Sequence, residues 1–264
     1  MRVFEFTTAI VREPGKSVVK GLRSDPSLCP TYEGVLAEHR AYVDALAAAG
    51  LSVDILKPLE AFPDSVFVED PALVFAEGAI LLRPGAPSRL AERDEVRGAL
   101  ARHFANVAEL DVGEYADGGD VLVTPATVFI GLSARTNRIG AEALVKHLAA
   151  IGKAARIVKT PPDVLHFKSA CALLSEDTIV ATKALATAGI FTGYRVLETP
   201  DGEDGGANLV RANRTVLVGA HYPRTAEMIA KEGLAVRLLP VSEVAKLDAG
   251  LSCMSLRWFK QEAV

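Results

Sequence analysis

Two side chains in this sequence could carry out nucleophilic chemistry together. Cys253 sits inside the last apolar stretch, GLSCMSLRW (250–258), and His166 stands between apolar neighbours in VLHFKSACALL. Taken singly, a buried cysteine is usually inert packing, and a histidine among apolar residues is more often a hydrogen-bonded structural residue. A thiol paired with an imidazole, however, is the usual route to an activated sulfur nucleophile. Acidic residues accompany the pair: Asp64, Glu69 and Asp70 surround the apolar VFV of FPDSVFVEDP, and Asp117 and Asp120 flank the two glycines of YADGGD. Asp64 after Pro63 and Asp117 before Gly118 also suit turns. Carboxylates bracketing a strand are costly to bury unless a cation neutralises them. A guanidinium fits, because it is planar, permanently charged and forked for bidentate carboxylates. Its resonance-stabilised carbon must be clamped in the path of a strong nucleophile. The cation would also favour thiolate over thiol, and the imidazole could protonate the departing amine and then activate water.

Other residues attract simpler readings. His39, His103 and His147 lie on helical stretches, His221 ends a strand, Cys171 belongs to an apolar run, and Cys29 has no neighbouring base. EPGKSVV lacks the first glycine of a phosphate loop, since position 10 is isoleucine. GLSAR and GLSCM lack the final glycine of a serine-hydrolase elbow. Neither a CxxC or HExxH metal spacing nor a dinucleotide glycine fingerprint is present, so no metal is expected.

The elements that must position these residues recur. EDPALVFAEGAILLRP, GGDVLVTPATVFIGLS, HFKSACALLSEDTIVAT and GANLVRANRTVLVGAH each read as two strands joined by a tight turn, namely AEG, TPAT, SED and RANR. Helical spacing follows over 86–104, 138–150 and 224–232, leading into short strands such as ARIVKT and AVRLLP. With Asp70, Asp120, His166, Asn208 and Cys253 as one marker per unit, the steps are 50, 46, 42 and 45 residues. Five units are implied. The fifth closes if the N-terminal strand VFEFTTAIV and a helix over 31–49 complete it, which would remove exposed sheet edges. An open α/β sheet with coincidental spacing is the alternative. In a ring the unit starts, where the polar residues lie, converge on the axis.

Composition sets the outer bounds. The chain has 264 residues, 50% of them hydrophobic, and a net charge of −4, which offers no broad basic surface for nucleic acid or an anionic membrane. The N-terminus reads as a strand rather than a signal, and no run reaches the about 18 apolar residues of a membrane span. Three widely spaced cysteines argue against a disulfide framework, so a cytoplasmic location is expected.

FPDSVFVEDP, RPGAPSR, DGGDVL, GLSARTN, LHFKS and GLSCMSLR together resemble the dimethylarginine dimethylaminohydrolases of the guanidino-group-modifying (pentein) superfamily, in order and over nearly the whole chain. The resemblance implies one domain over 1–264, a five-bladed α/β propeller of ββαβ units with pseudo-fivefold symmetry. It implies hydrolysis of asymmetric dimethylarginine or monomethylarginine to citrulline and the methylamine, with no cofactor and with a homodimer admitted. Under it, Cys253 matches the nucleophile and His166 the general acid and base. Asp117 matches the acidic residue that orients the histidine, Glu69 and Asp70 those that hold the guanidino nitrogens, and Asp64 a ligand of the α-amino group. Arg89 and Arg135 match arginines near the α-carboxylate, and Leu22 in KGLRS matches a lid residue whose backbone touches the amino acid. The C-terminal FKQEAV receives no role.

Rival readings stay open. Arginine, agmatine or citrulline hydrolases use the same machinery; Asp64 with Arg89 and Arg135 favours an α-amino acid over agmatine, and arginine deiminases carry a helical domain for which this chain has no room. The same propeller serves as a binding module in the translation initiation factor six family, which predicts no catalytic cysteine or histidine.

Overall fold

The computed structural model describes residues 3–162 and 164–260; the terminal residues of MRVFEF and of FKQEAV, at 1–2 and 261–264, lie outside the described residues. The chain opens with β1 (Thr8–Arg12), α1 (Tyr32–Ala48) and β2 (Ser52–Leu56). Next come β3 (Ala72–Phe75), β4 (Gly78–Leu81), α2 (Glu92–His103) and β5 (Val107–Glu109), then β6 (Val121–Val123), β7 (Val128–Leu132), α3 (Arg138–Ala150) and β8 (Ala155–Lys159). They are followed by β9 (Cys171–Leu173), β10 (Thr178–Ala181), α4 (Lys183–Ala186) and β11 (Arg195–Glu198). The chain finishes with β12 (Val210–Ala212), β13 (Thr215–Gly219), α5 (Pro223–Lys231), β14 (Ala235–Leu239), α6 (Ser242–Ala245) and β15 (Leu256–Trp258).

These strands form five three-stranded sheets, each an antiparallel pair followed by a parallel strand. The fifth unit closes as the repeat requires: β15 pairs antiparallel with β1 (Thr8↔Trp258, Ile10↔Leu256), and β1 pairs parallel with β2 (Thr8↔Ser52 to Arg12↔Leu56). Five apolar cores occupy the seams between neighbouring sheets. Ile10 meets Leu81 and Trp258 in one, Ile80 meets Ile130 in the next, Phe129 meets Ile179, Val180 meets Val216, and Leu217 meets Val11. Because each seam needs both sheets, the ring stands as a whole, the five-bladed α/β propeller expected from the sequence. Among the described residues no helix is long and apolar enough to cross a membrane.

Two helix starts, those of α1 and α3, are set by side-chain caps. Thr31 caps α1 by accepting from Gly34 N at 3.2 Å, and Asn137 caps α3 by accepting from Gly140 N at 2.7 Å. Buried Ala141, Leu144 and Leu148 give α3 an inward stripe at steps of three and four.

Three local expectations change. The sheets stay separate, so ring closure leaves each an outer edge strand; β2 and β14 expose Ile55 and Leu238 there. The helix expected over 86–104 divides into a 3-10 turn at Pro87–Arg89 and α2, and the Arg89 guanidinium pairs with Glu92 across the junction. Within VFEFTTAIV only Thr8 onward joins a sheet. The earlier part is held instead by Asn213, in the β12–β13 turn. Asn213 Oδ1 accepts from Phe6 N at 2.8 Å, its Nδ2 donates to Phe6 O at 3.0 Å and Ala49 O at 2.7 Å, and its backbone N donates to Phe4 O at 2.8 Å.

Asn213 thus fastens the last complete unit to the chain start while holding φ at 56°. Asn213→Ala loses the side-chain bonds and strains the left-handed position, so urea unfolding should show a loss of about 2–4 kcal/mol. Asn213→Gly, which relaxes φ, should cost less. A loss below about 1 kcal/mol in Asn213→Ala would contradict this role.

Candidate active site

At one end of the axis the unit starts meet. The approaches to four of the five inner strands are 3-10 turns, at Gly118–Asp120, Phe167–Ser169, Asp204–Ala207 and Ser252–Met254. Three of the repeat markers do the same structural work: Asp70 Oδ1 accepts from Gly119 N at 3.1 Å, Asp120 Oδ1 from Phe167 N at 2.8 Å, and Asn208 Oδ1 from Ser252 N at 3.0 Å. A side-chain oxygen of one unit therefore ties down the turn of the next. The glycines of DGGD permit the approach, since a Cβ on Gly118 would lie 2.1 Å from Glu69 O. His166 and Cys253 hold the equivalent positions in units three and five, where their side chains face a cavity of about 230 Å³.

Within that cavity Cys253 is 9% exposed, with Asn208 Nδ2 3.8 Å from its Sγ. Burial pushes its thiol up to about 11, and the negative charges of Glu69 and Asp70 add to the rise. His166 Nε2 lies 2.9 Å from Asp117 Oδ2. Asp117 is fully buried and is itself fixed, accepting from Gly85 N at 2.7 Å, while its backbone N donates to Thr136 Oγ1 at 3.1 Å. Burial disfavours an imidazolium at His166, but Asp70, the bond to Asp117 and the charge of Asp120 outweigh it and lift the group to about 9. The resting pair is a thiol and an imidazolium.

The remaining expected residues divide. Asp64, Asp70, Arg89, Arg135 and Leu22 line the same cavity. Asp64 Oδ1 accepts from Leu22 N at 2.9 Å, and burial raises its carboxyl above the usual range. Arg89 is enclosed: it pairs with Asp70, with Glu92 Oε2 at 2.8 Å, and with the carbonyls of Asp64 and Phe67 at 3.2 and 3.0 Å. Burial opposes its charge, but Glu92 and Asp70 hold its pKa well above the ordinary value. Arg135 is less engaged, with Nη1 4.0 Å from Asp117 Oδ2. Glu69, expected beside the guanidinium, presents its carboxylate to the opposite side of the axis, toward Lys168 and Ser252. Asp120 serves as a support: Ser133 and Thr136 hydroxyls each donate to it at 2.6 Å, and burial raises it to about 6.

Sequence reasoning missed Glu92, Asp248 and the thiol contact of Asn208. The i,i+3 spacing of Arg89 and Glu92 was a readable signal. Asp248 lines the cavity from φ 54° and accepts from Ser24 Oγ at 2.9 Å, joining the Leu22 segment to the loop before Cys253. No spacing in the sequence announces that. Cys171 is core, its Sγ donating to Phe167 O at 3.3 Å.

Ligand atoms of Asp70, Asp117 and His166 lie within 4.8 Å of one another, close enough for a cation. A metal needs the imidazole lone pair, which a proton holds here until about pH 9. Because His166 rises from 6.5 to about 9 on folding, its favourable contribution is complete below pH 6.5 and is lost as pH climbs through 9. NMR titration should place His166 near pH 9, and Asp117→Asn should lower that midpoint by about one unit or more and flatten the loss of melting temperature between neutral and alkaline pH. A wild-type midpoint at or below 6.5 would contradict the geometry.

Comparison with known proteins shows the family. The family model "N,N dimethylarginine dimethylhydrolase, eukaryotic" matches residues 27–185. The N(G),N(G)-dimethylarginine dimethylaminohydrolase of Pseudomonas aeruginosa is 36% identical over 254 residues, covering 96% of this chain and all of the relative. A solved structure of the P. aeruginosa enzyme, a cysteine-to-serine mutant complexed with citrulline, superposes with a TM-score of 0.93 over 96% of this chain and 100% of that one, at 36% identity. A dimethylarginine dimethylaminohydrolase structure of a histidine-to-glycine variant, an adduct with S-methyl-L-thiocitrulline, gives 0.92 at 36% identity over 96% and 99% of the two chains. With a family model matching more than half of its length and a relative aligned along nearly all of it, the chain belongs to the dimethylarginine dimethylaminohydrolases, hydrolases acting on C–N bonds of the guanidino group.

Proposed function

We propose that this protein, acting as one propeller domain, hydrolyses Nω-methylated arginines to citrulline and dimethylamine or methylamine. The observation that carries the reading is the placement of a thiol, an imidazolium held by a buried carboxylate, and two arginines around one cavity of about 230 Å³. Asp70 and Asp117 offer hydrogen-bond acceptors to the guanidinium, Asp64 and the Leu22 backbone meet the α-amino group, and Arg135 with Arg89 faces the α-carboxylate. Glu69 contributes negative potential from behind rather than contact. Phe67, Leu165, Leu247 and Ala249 line the same cavity and supply apolar wall for N-methyl groups.

The electrostatics give an order of events. In the empty site the negative charge of Glu69 and Asp70 adds to burial in keeping Cys253 protonated. A bound guanidinium offsets that charge, so the thiol gives up its proton to solvent and the thiolate forms where its target is held. Cys253 Sγ then attacks the guanidinium carbon, and His166 gives its proton to the departing methylamine as the C–N bond breaks, leaving an S-alkylthiouronium. His166, now neutral, takes a proton from water as that water attacks the same carbon. The C–S bond breaks, the hydroxyl on that carbon passes its proton to the departing sulfur, neutral citrulline leaves, and the thiol and imidazolium return. The citrulline and S-methyl-L-thiocitrulline complexes of the relatives support this reading.

Assay of asymmetric dimethylarginine, monomethylarginine, arginine and agmatine in parallel tests it. Citrulline should appear with dimethylamine or methylamine, and agmatine, lacking a carboxylate for the arginines, should fall behind by about 100-fold or more in kcat/KM. Cys253→Ser should lower kcat on the order of 10³-fold or more. Turnover of arginine alone, or full activity in Cys253→Ser, would sink the proposal.

A further inference from the structure

Glu69 and Asp70 are adjacent, yet their carboxylates serve opposite halves of the axial channel. Asp70 faces the Cys253 cavity, whereas Glu69 lines a second cavity of about 920 Å³ bounded by the inner strands of all five sheets. Glu69 is tightly placed. Its side chain is 5% exposed, Oε1 pairs with Lys168 Nζ and lies 3.7 Å from Arg257 Nη2, Oε2 accepts from Ser252 Oγ at 3.1 Å, and its backbone N donates to Cys253 O at 3.2 Å. Ser252 is the only residue between this carboxylate and the thiol along that bonded path. Lys168 belongs to the turn that follows His166, so the element presenting the acid and base also presents the counter-charge of Glu69.

We propose that Lys168 is a positioning residue for the nucleophile: by neutralising Glu69 from the rear cavity it limits the negative charge that Cys253 faces. A buried carboxylate beside a thiol opposes thiolate unless it is itself paired, and Glu69 follows burial, and precedes Asp70, among the influences that raise the Cys253 thiol. Arg257, 3.7 Å away and shared with Ser255 O and Tyr42 OH, is the weaker partner. Among the described residues, the other charged groups lining the Cys253 cavity are Arg23, Asp64, Asp70, Arg89, Arg135, His166 and Asp248, all on the front side. Lys168 is therefore the group through which the rear of the propeller acts on the reaction.

The inference rests on Cys253 being the nucleophile, but its readout needs no turnover, so a failed hydrolysis assay and a failed inference are separable. Iodoacetamide alkylation of Cys253, quantified by peptide mass spectrometry across pH, gives the thiol midpoint directly. Lys168→Met should move that midpoint up by about one pH unit, an alkylation rate about tenfold lower at neutral pH, while Lys168→Arg stays near wild type. Glu69→Gln should move it down, and Glu69→Gln/Lys168→Met should fall between the two single variants, because the negative charge is removed together with the positive charge that offsets it. A merely structural lysine would lower the melting temperature without moving the midpoint. An unmoved midpoint in Lys168→Met, or a double variant shifted up as far as the single one, overturns the proposal. If Lys168→Met does not fold, the neutral pair in the double variant retains the shape, and failure of Glu69→Gln to lower the midpoint overturns it equally.

Discussion

The structure depends on one repeated contact: a side-chain oxygen at the start of one propeller unit accepts the backbone N–H of the next unit's turn. Asp70, Asp120 and Asn208 each make it, at 3.1, 2.8 and 3.0 Å. The contact requires polar residues at the axis of an otherwise apolar ring, and it fixes where each turn lies. Once three of the five positions hold the ring together, the other two are available for chemistry, and they are His166 and Cys253. Asp70 does both jobs, since one oxygen latches Gly119 while the other pairs with Arg89 at the cavity wall.

That arrangement stores negative charge where water is scarce. Asp64 and Asp70 are buried at the cavity, Asp117 is buried beside His166, Glu69 stands behind, and Arg89 is largely consumed by Asp70, Glu92 and two carbonyls. The imidazolium of His166 is one answer to that charge. Under the proposed function a guanidinium is the other, and its charge would favour the thiolate of a thiol held near 11. Keeping the thiol protonated in the empty site also protects it from oxidation, which requires thiolate character.

Much of this was legible because the repeat is written in residue types. The spacing from Asp70 through Cys253 located the unit starts, α3 fell on Arg138–Ala150, and the four hairpin turns lie where AEG, TPAT, SED and RANR stand. Cys253, His166, Asp117, Asp64, Asp70, Arg89, Arg135 and Leu22 reach one region, since a ring brings unit starts together whatever their separation in sequence. What stayed hidden depends on geometry that residue type does not encode. Neighbouring Glu69 and Asp70 were equivalent on paper, but the backbone turn between them sends one carboxylate to each side of the axis. Asp248 holds a left-handed φ without glycine to announce it. Its role exists only through contact with Ser24, more than two hundred residues earlier in the chain. VFEF reads as strand because it is apolar and aromatic, but Asn213 takes the hydrogen bonds of Phe4 and Phe6 before a sheet can.

The most direct test of the account is a pH titration of thiolate absorbance, wild type minus Cys253→Ser, with and without an amidine analogue of arginine. Such a ligand is cationic but carries a methyl group in place of the departing nitrogen. The account predicts a midpoint near 11 in the empty protein, falling below about 8 when the cation is bound. A midpoint that the ligand leaves unchanged, or a thiolate already present at neutral pH without it, would contradict the claim that the substrate's own charge creates the nucleophile.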